Sequence, residues 1–347
     1  MMLKPNVGCM TSSPLFSDPP QYIAGIDLGT NTLRLLIAQT KSDGRLVAVY
    51  SDQVIARLGE GLQHNGTLQD SAIDRTIQTL QRWHPILLQH DINQPITVAT
   101  SAVRDAANRD KFLQRVQTDV GFTVEVLSGH EEARRTLIGI ATGLTPPITN
   151  ILAIDIGGGS TELIFANNGQ SDKLYSTDLG VVRLTEQFLT SDPILDDEIS
   201  AASYFILDRL QMLKTKLGNI GDTTLLGTAG TITTLAAMDQ ELASYDPKKV
   251  HQYCLPLKTI QQIRETCVDK TIAERRMMPG LEAGRADVIV AGILILQLTM
   301  ENLGFSNLFV SEFGLREGIL VDQIQKITGN PSSLELFGTP HRSEGQP

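Results

Sequence analysis

The sequence has few cysteines and no apolar run long enough to span a bilayer. Its three cysteines among 347 residues, Cys9, Cys254 and Cys267, form no CxxC pair and no even set, which argues against a disulfide framework. The most apolar segment, VIVAGILILQL at 288–298, is too short for a transmembrane helix and predicts a buried helix. We therefore expect a cytoplasmic protein with no membrane partner.

Positive charge is also scarce. The chain has 29 lysines and arginines against 39 aspartates and glutamates, a net charge of -10. Such a balance argues against nucleic acid as a partner, but it leaves room for a local basic pocket that binds an anion. With 41% hydrophobic and 20% charged residues the composition is that of a globular protein, and the length predicts two domains. The oligomeric state stays open, a homodimer included.

The two ends of the chain contain little that a core would bury. Residues 1–21 are rich in proline and lack the apolar stretch of a signal peptide, and residues 329–347 include GNPSS and GTPHRSEGQP. We expect flexible tails at both ends.

Two segments of the chain match each other without gaps. Residues 23–38 read IAGIDLGTNTLRLLIA and residues 151–166 read ILAIDIGGGSTELIFA, which aligns Asp27 with Asp155 and Gly29 with Gly157. Each segment predicts a buried strand that ends in Asp-x-Gly, a polar loop and a second strand. The offset of 128 residues exceeds the period of a solenoid, so the repeat predicts two related domains whose loops clamp one ligand.

The rest of the chain alternates helical and strand patterns, which predicts an α/β fold. Residues 68–89, 130–144 and 196–218 have helical periodicity, and residues 95–106 read as a strand followed by a loop. The predicted first domain is 22–142, joined by a returning C-terminal helix at 315–326, and the second is 143–314. The hinge between them is placed in TGLTPPITN, 142–150, where two prolines interrupt the pattern.

The three consecutive glycines of the second loop admit two interpretations. Glycine permits close approach of another group, so backbone N–H donors there can bind a phosphate. A glycine-rich β-turn between two strands explains the same residues equally well. The nine residues IDIGGGSTE, 154–162, do not decide between the two.

Six motifs, taken together, resemble one family. They read AGIDLGTNTLRLLIA, TSAVRDA, VLSGHEEARRTLIGI, AIDIGGGSTELI, LGTAGTITTLAA and LFVSEFGLREGIL. They are similar to the successive motifs of the exopolyphosphatase / guanosine pentaphosphate phosphohydrolase (Ppx/GppA) family, in its short two-domain form. The resemblance implies two actin-like (ribonuclease H-like) domains, an interdomain active-site cleft, a divalent metal and hydrolytic removal of a terminal phosphate. His130 and the Thr-Asn-Thr order of the first loop depart from the common pattern.

The resemblance also implies roles for the loop residues. Arg104 and Arg285 suit phosphate oxygens, Arg104 at the reacting phosphate and Arg285 along the distal chain. Asp27, Asp155 and Glu162 would hold Mg²⁺, with Mn²⁺ as an alternative, because two carboxylates facing a polyanion need a cation between them. Otherwise Asp27 and Asp155 accept N–H bonds within their own loops. The phosphate-binding candidates are Gly29, Thr30, Asn31, Thr32, Gly157, Gly158, Gly159, Ser160 and Thr161.

The adjacent glutamates of SGHEEA are separated by helix geometry. Ser128 and Glu131 form an S-x-x-E capping pattern, so Glu131 is expected to bond back to the Ser128 N–H. Glu132 matches the family's catalytic glutamate and is expected to be the general base, together with Arg104 and Glu162 in catalysis. The alternative for Glu132 is a solvated acid favoured by the helix dipole.

The function that follows from the resemblance is hydrolysis of the terminal phosphoanhydride bond of inorganic polyphosphate, with release of orthophosphate. Removal of the 5′-phosphate of guanosine pentaphosphate (pppGpp) is the alternative substrate reaction. An actin-like ATP-dependent kinase would need an adenosine pocket near residues 227–231. A non-catalytic polyanion sensor is a third class, against which the intact set of carboxylates argues.

Overall fold

The structure, a computed structural model, describes residues 21–42, 44–145, 148, 150–167, 170–329 and 333–335. Cys9, the rest of the N-terminal tail and most of the C-terminal tail lie outside the described residues. One part of the predicted C-terminal tail is not a tail. Leu334 and Glu335 form a short strand parallel to the strand that contains Leu46, and the Leu334 side chain is buried. An apolar side chain that meets a sheet edge explains the difference.

The first half of the chain contains five strands and five helices among the described residues. The strands are β1 (Tyr22–Leu28), β2 (Thr32–Thr40), β3 (Leu46–Ile55), β4 (Ile96–Ala99) and β5 (Val124–Val126). The helices are α1 (Leu62–Asn65), α2 (Asp70–Leu88), α3 (Ser101–Asp105), α4 (Arg109–Asp119) and α5 (Gly129–Gly143). The segment after β4, predicted as a loop, is therefore the short helix α3.

The second half continues in the same alternating style. Its strands are β6 (Ile151–Ile156), β7 (Thr161–Asn167), β8 (Gln170–Thr177), β9 (Thr224–Thr228), β10 (Cys254–Pro256), β11 (Asn307–Val310) and β12 (Leu334–Glu335). Its helices are α6 (Val181–Phe188), α7 (Asp196–Leu217), α8 (Ala229–Asp239), α9 (Pro247–Val250), α10 (Leu257–Val268), α11 (Ile272–Arg275), α12 (Ile289–Leu303) and α13 (Leu315–Thr328).

The strands form two six-stranded mixed sheets with the same internal plan. The first has the order β12-β3-β2-β1-β4-β5 and the second the order β10-β11-β9-β6-β7-β8. In each sheet three antiparallel strands, β3-β2-β1 or β8-β7-β6, continue into parallel strands, β4-β5 or β9-β11. The two matching hairpins therefore belong to two sheets with the same strand arrangement. This confirms the predicted pair of actin-like (ribonuclease H-like) domains in an α/β fold.

The central strands are built from residues that are buried on both faces, as expected for strands covered by helices. β1 is buried from Ile23 to Leu28, and α2, in the segment predicted as helical, packs against its sheet through Ile73, Ile77 and Leu80. α12 is buried along almost its whole length, as the apolar segment predicts. In the described part of the chain, no helix is both long and apolar enough to cross a membrane.

Two helices each pack on the sheet formed by the other half of the chain. α5 ends the first half of the chain, yet its apolar residues Ala133 and Ile140 pack on the second sheet with Ile164. α13 follows the second sheet, yet it packs on the first, where Gly25 contacts Ile319. By packing, residues 129–142 of the predicted range 22–142 therefore belong with the second sheet, whereas α13 packs on the first sheet, where the sequence interpretation placed a returning helix at 315–326.

α5 and α13 cross in direct backbone contact. A Cβ on Gly139 would lie 1.9 Å from the carbonyl oxygen of Gly314, and a Cβ on Gly318 would lie 1.8 Å from that of Arg135. Both distances are far below van der Waals contact, so glycine is required at the crossing. The crossing brings the N-terminus of α5 to the boundary between the two sheets.

Candidate active site

The two matching segments form equivalent hairpins. Residues 29–31 turn between β1 and β2, and residues 157–160 turn between β6 and β7. Asp27 lies opposite Arg34 in the first hairpin, whereas Asp155 lies opposite Glu162 in the second. Both aspartates therefore stand at the same place, one residue before the end of the first strand.

The two loops touch each other across the interdomain boundary. A Cβ on Gly158 would lie 2.8 Å from Cβ of Thr30, and one on Gly159 would lie 2.5 Å from Oγ of Ser101. The reason predicted for these two glycines, room for a phosphate oxygen, is therefore incomplete. Both glycines are needed first for the approach of Thr30 in the first loop and, at Gly159, of Ser101 in α3.

The loops retain some, not all, of the predicted phosphate donors. The Gly157 N–H donates to the Ser160 carbonyl at 2.9 Å, and the Thr161 hydroxyl donates to the Leu179 carbonyl, so both donors are already engaged. Among the described residues, the N–H groups of Thr30, Asn31, Gly158 and Gly159 donate to no backbone oxygen. These N–H groups are the ones available to an anion.

Four acids predicted from sequence come together next to these loops. Asp27, Glu132 and Glu162 are buried and Asp155 is partly buried. Burial is the largest cause that raises the pKa of each of the four, because desolvation disfavours the charged form. The neighbouring acids add to the effect: Asp155 raises the pKa of Asp27, Glu132 and Glu162.

Glu132 is paired with Arg104. Nη1 of Arg104 donates to Oε2 of Glu132 at 3.0 Å and to the Leu127 carbonyl at 2.8 Å. Burial raises the pKa of Glu132 to about 8, and the Arg104 charge opposes that rise. Glu132 is thus neither solvated nor without a partner, and the solvated-acid alternative is wrong.

Glu131 differs from its neighbour. The N–H of Glu131 donates to Oγ of Ser128 at 3.2 Å, which confirms Ser128 as the cap. The return bond from Glu131 is not made, since its carboxylate accepts from Arg134 and Arg135 instead. Hydrogen bonds from Arg134, followed by Arg135, hold the pKa of Glu131 at about 2. The carboxylate pairs with the guanidinium groups because their charge-assisted hydrogen bonds are stronger than one from a neutral backbone N–H.

Hydroxyl groups orient two of the other acids. Oγ of Ser176 donates to Oε1 of Glu162 at 2.7 Å, and Oγ1 of Thr136 lies 3.4 Å from Oδ2 of Asp155. Neither hydroxyl was predicted from sequence. Ser176 lies on β8, outside every motif quoted above. Thr136 lies four residues after Glu132 on α5, so helix periodicity alone could have placed the two side chains on the same face.

Several polar side-chain atoms of the first hairpin are buried without a hydrogen-bond partner. They are Oδ1 of Asp27 and both amide atoms of the Asn31 side chain. Buried polar groups are normally hydrogen-bonded, so these three unpaired atoms on one hairpin are candidates to contact a bound ligand. The orphaned oxygen is a hard donor of the kind that Mg²⁺ prefers.

A closed metal cage is not present among the described residues, where no group of three or more His, Cys, Asp or Glu side chains is placed to hold an ion. Mg²⁺ does not require one, because it keeps several waters and binds one or two carboxylates together with substrate phosphates. Asp27 and Asp155, one from each hairpin, fit that requirement. Glu162 lies opposite Asp155 on the neighbouring strand.

Beside the acids, a cavity of about 370 Å³ lies between the two halves. Its lining includes three arginines, Arg34, Arg285 and Arg316. Arg285 donates to Glu282 and lies 3.5 Å from the Thr32 hydroxyl, so it joins the second half to the first loop. Apolar and aromatic residues also line the cavity, among them Tyr50, Leu242, Tyr245, Leu281 and Leu315.

The family model of the Ppx/GppA phosphatase family matches residues 36–327, most of the chain. The chain belongs to the Ppx/GppA phosphatase family. It is 34% identical over 310 residues to Exopolyphosphatase 2 of Mycobacterium tuberculosis, and this match covers 86% of the chain and 97% of the relative. Membership in a phosphatase family makes the protein a hydrolase of phosphate bonds.

Solved structures of Ppx/GppA proteins have the same fold. The Aquifex aeolicus family member is 36% identical with a TM-score of 0.75, and the match covers 89% of this chain and 99% of that one. An exopolyphosphatase from Cytophaga hutchinsonii is 29% identical with a TM-score of 0.82, over 88% of this chain and 99% of that one. Both matches span the two sheets, so the resemblance read from the motifs is confirmed.

Proposed function

We propose that this Ppx/GppA protein is an exopolyphosphatase that removes the terminal phosphate of inorganic polyphosphate. The observation that carries the proposal is the convergence of four acids on two abutting loops whose N–H groups are available to an anion. A relative that is 34% identical over almost its whole length is named an exopolyphosphatase, which supports the same substrate here.

In the proposed reaction the two loops hold the terminal phosphate and Glu132 takes a proton from the attacking water. The water oxygen bonds to the terminal phosphorus, the bridging P–O bond breaks, and its electron pair stays with the shortened chain. Arg104 holds the Glu132 carboxylate in place through the bond at 3.0 Å and lies beside the reacting phosphate. Orthophosphate and a chain shorter by one unit are the products.

Mg²⁺, with Mn²⁺ as a substitute, is part of the proposal. Asp27 and Asp155 would hold the ion together with the substrate, with Glu162 as a further ligand or as an orienting group. When bound, the ion neutralises phosphate charge that these buried acids would otherwise repel. The buried orphan oxygen of Asp27 supports this role.

One observation favours pppGpp as a second candidate substrate. The cavity beside the acids has apolar and aromatic walls, among them Tyr50, Leu242 and Tyr245, which a chain of phosphates does not need. A nucleoside attached to the phosphates would fill such a space. The same cavity lies next to residues 228–230, where the kinase alternative required a nucleoside pocket.

The compartment is proposed to be the cytoplasm. Of the described cysteines, Cys254 is exposed and Cys267 is buried, and neither forms a disulfide. Unpaired cysteines support a reducing environment.

The test is phosphate release by the purified protein from long polyphosphate, tripolyphosphate, pppGpp and ATP, with Mg²⁺, with Mn²⁺ and with excess chelator. We expect the highest kcat/KM for a polyphosphate and loss of activity in chelator. A higher kcat/KM for pppGpp than for any polyphosphate would establish the second candidate, and full activity in chelator would exclude the metal role of Asp27 and Asp155.

A further inference from the structure

The second loop, residues 157–160, rests on the start of α6. Gly180 immediately precedes this helix, and a Cβ there would lie 2.3 Å from Cα of Gly159. That distance is far below van der Waals contact, so the backbone before α6 packs directly against the loop. The first turn of α6 is therefore within hydrogen-bond reach of the loop carbonyls.

Backbone N–H groups of α6 hold two of these carbonyls. The Val181 N–H donates to the Gly157 carbonyl at 3.0 Å, and the Val182 N–H donates to the Gly158 carbonyl at 2.8 Å. Both peptide groups are trans, and the C=O and N–H of a trans peptide point in opposite directions. The N–H that follows each carbonyl therefore points away from α6.

The third carbonyl of the loop is held by a side chain. Nε of Arg183, on α6, donates to the Gly159 carbonyl at 3.2 Å. Its Nη1 and Nη2 donate at 2.9 Å to Gln63 and Asp105, which belong to the first half of the chain. These bonds fix the plane of the guanidinium, and the side chain is only 22% exposed. Arg183 therefore keeps the Gly159 carbonyl turned toward α6.

We propose that Arg183 is a positioning residue, which holds the Gly159 carbonyl away from the substrate and so directs the Ser160 N–H toward the terminal phosphate. This inference rests on the proposed function. In the described part of the chain, the Ser160 N–H donates to no backbone oxygen, so an anion can accept from it. Arg183 acts through this peptide group, since its own guanidinium is bound by protein acceptors on both sides.

A loop of consecutive glycines does not fix its own carbonyl directions. Glycine has more accessible backbone conformations than other residues, so bonds from outside the loop decide which way each peptide group faces. A rotated Gly159–Ser160 peptide would present its carbonyl oxygen to the substrate. The substrate would then lose a hydrogen-bond donor and meet the negative end of a dipole, which repels phosphate.

The first loop is held in the same way. The Gly59 N–H donates to the Thr30 carbonyl at 2.8 Å, and the Arg57 N–H donates to the Asn31 carbonyl at 2.9 Å. Both loops thus have their carbonyls bound by a neighbouring segment. Of the five carbonyls, that of Gly159 is the one bound by a side chain among the described contacts. A substitution can therefore release it while the backbone bonds stay in place.

The direction of the Ser160 N–H can be measured without turnover. Protein made with 15N-labelled serine is titrated with orthophosphate in the presence of Mg²⁺, and the Ser160 amide signal is identified by its absence in Ser160→Ala. In the wild type, a hydrogen bond to the charged phosphate is expected to move the amide proton signal downfield. In Arg183→Ala this shift is expected to be lost, while other loop signals still respond to phosphate.

Turnover of tripolyphosphate gives the second readout. Loss of one preorganised donor typically lowers kcat by ~10²–10³-fold. Arg183→Ala removes the orientation of the donor and not the donor itself, so we expect a ~10–10²-fold loss in kcat with KM within about 3-fold of the wild type. The control is Arg209→Ala, on α7, where the side chain is 30% exposed and pairs with Asp178 and Asp208. That variant should keep both kcat and the Ser160 shift.

The inference would be overturned by a wild-type Ser160 shift in Arg183→Ala, by no Ser160 shift in the wild type at saturating phosphate, or by unchanged kcat per folded protein. Loss of every phosphate-induced signal change in the variant would also overturn it, because Arg183 would then be needed for phosphate binding as a whole. Circular dichroism and the melting temperature give the folded fraction.

If Arg183→Ala does not fold, Arg183→Met replaces it, since methionine keeps an unbranched side chain without a donor, and the same losses are required. A wild-type protein that releases no phosphate from tripolyphosphate would refute the proposed function. The Ser160 signal in the presence of orthophosphate would still decide whether Arg183 orients this N–H.

Discussion

Two adjacent glutamates in one helical turn have opposite electrostatic environments. Arg134 and Arg135 hold the Glu131 carboxylate ionised, whereas burial raises the pKa of Glu132. A carboxyl group whose pKa is raised toward neutral pH is a candidate for proton transfer, whereas one held ionised by two guanidinium groups is not. The two positions are therefore a matched pair for separating chemistry from structure.

Glu132→Gln should lower kcat by ~10²–10⁴-fold, the typical effect of losing a general base. Glu131→Gln should keep most of kcat and lose roughly 1–3 kcal/mol of stability, because it weakens hydrogen bonds to charged groups. The measurement is phosphate release at equal concentrations of folded protein. Equal loss of activity in both variants would contradict the assignment.

Buried acids also make stability depend on pH in a specific direction. The pKa of Asp27 rises from 3.8 to about 6 and that of Glu132 from 4.5 to about 8 in the folded protein. Because the folded values lie above the unfolded ones, the stabilisation is complete below the unfolded pKa values. It is lost as the pH rises through about 6 and then about 8.

The corresponding variant isolates this effect. Glu132→Gln cannot ionise, so in chelator it should melt above the wild type at pH 9 and close to it at pH 5. The gain at pH 9 is on the order of 1 kcal/mol for each unit of pKa shift. A melting-temperature difference that is the same at both pH values would show that Glu132 is not the group responsible.

At the scale of elements, local sequence predicted the hairpins well. Their near-continuous apolar runs and the Asp-x-Gly ends place Asp27 and Asp155 at equivalent strand ends, and Gly218 follows α7, predicted at 196–218, with φ at 64°. Hairpin register alone would also have placed Arg34 opposite Asp27, which the sequence interpretation did not use.

Contacts between distant segments could not be predicted from the sequence. The packing of α5 on the second sheet, the strand pairing of Leu334, and the approach of Thr30 to Gly158 all depend on how the halves come together. Ser176 was missed for the same reason, since its contact with Glu162 follows from the register of β7 and β8. Local propensity carries no information on such pairings.

The crossing of α5 and α13 gives a prediction at this scale. Gly139→Ala places a methyl group 1.9 Å from the Gly314 carbonyl, so the helices must separate. We expect a loss of about 2–3 kcal/mol in the free energy of unfolding, typical of overpacking. Ala141→Ser, on the exposed side of the same helix, should change it by less than about 0.5 kcal/mol. Denaturant unfolding curves that do not separate the two variants would refute the close crossing.

At the scale of the whole molecule, the substrate and the protein carry the same sign of charge. The net charge is -10, so long-range attraction does not hold a polyphosphate chain. The chain must instead be bound by contacts with local cations such as Arg104 and Arg285. We expect KM for polyphosphate to rise between ~10 mM and ~150 mM salt, because screening weakens those contacts. Chains should also dissociate between cuts.

A gel time course with one long polyphosphate measures this behaviour. Gradual shortening of the whole population is the expected pattern. Full-length chains that persist beside orthophosphate, with no chains of intermediate length, would mean that the protein holds one chain until it is consumed and that cations other than these local ones bind it.

The central claim is that the buried acids at the two loops hydrolyse the end of a polyphosphate chain. Its most direct test is orthophosphate release from long polyphosphate by wild type and Glu132→Gln, purified side by side with Mg²⁺ present. The account predicts release by the wild type and ~10²-fold or greater loss in the variant. No release by the wild type, or equal release by a folded variant, would contradict it.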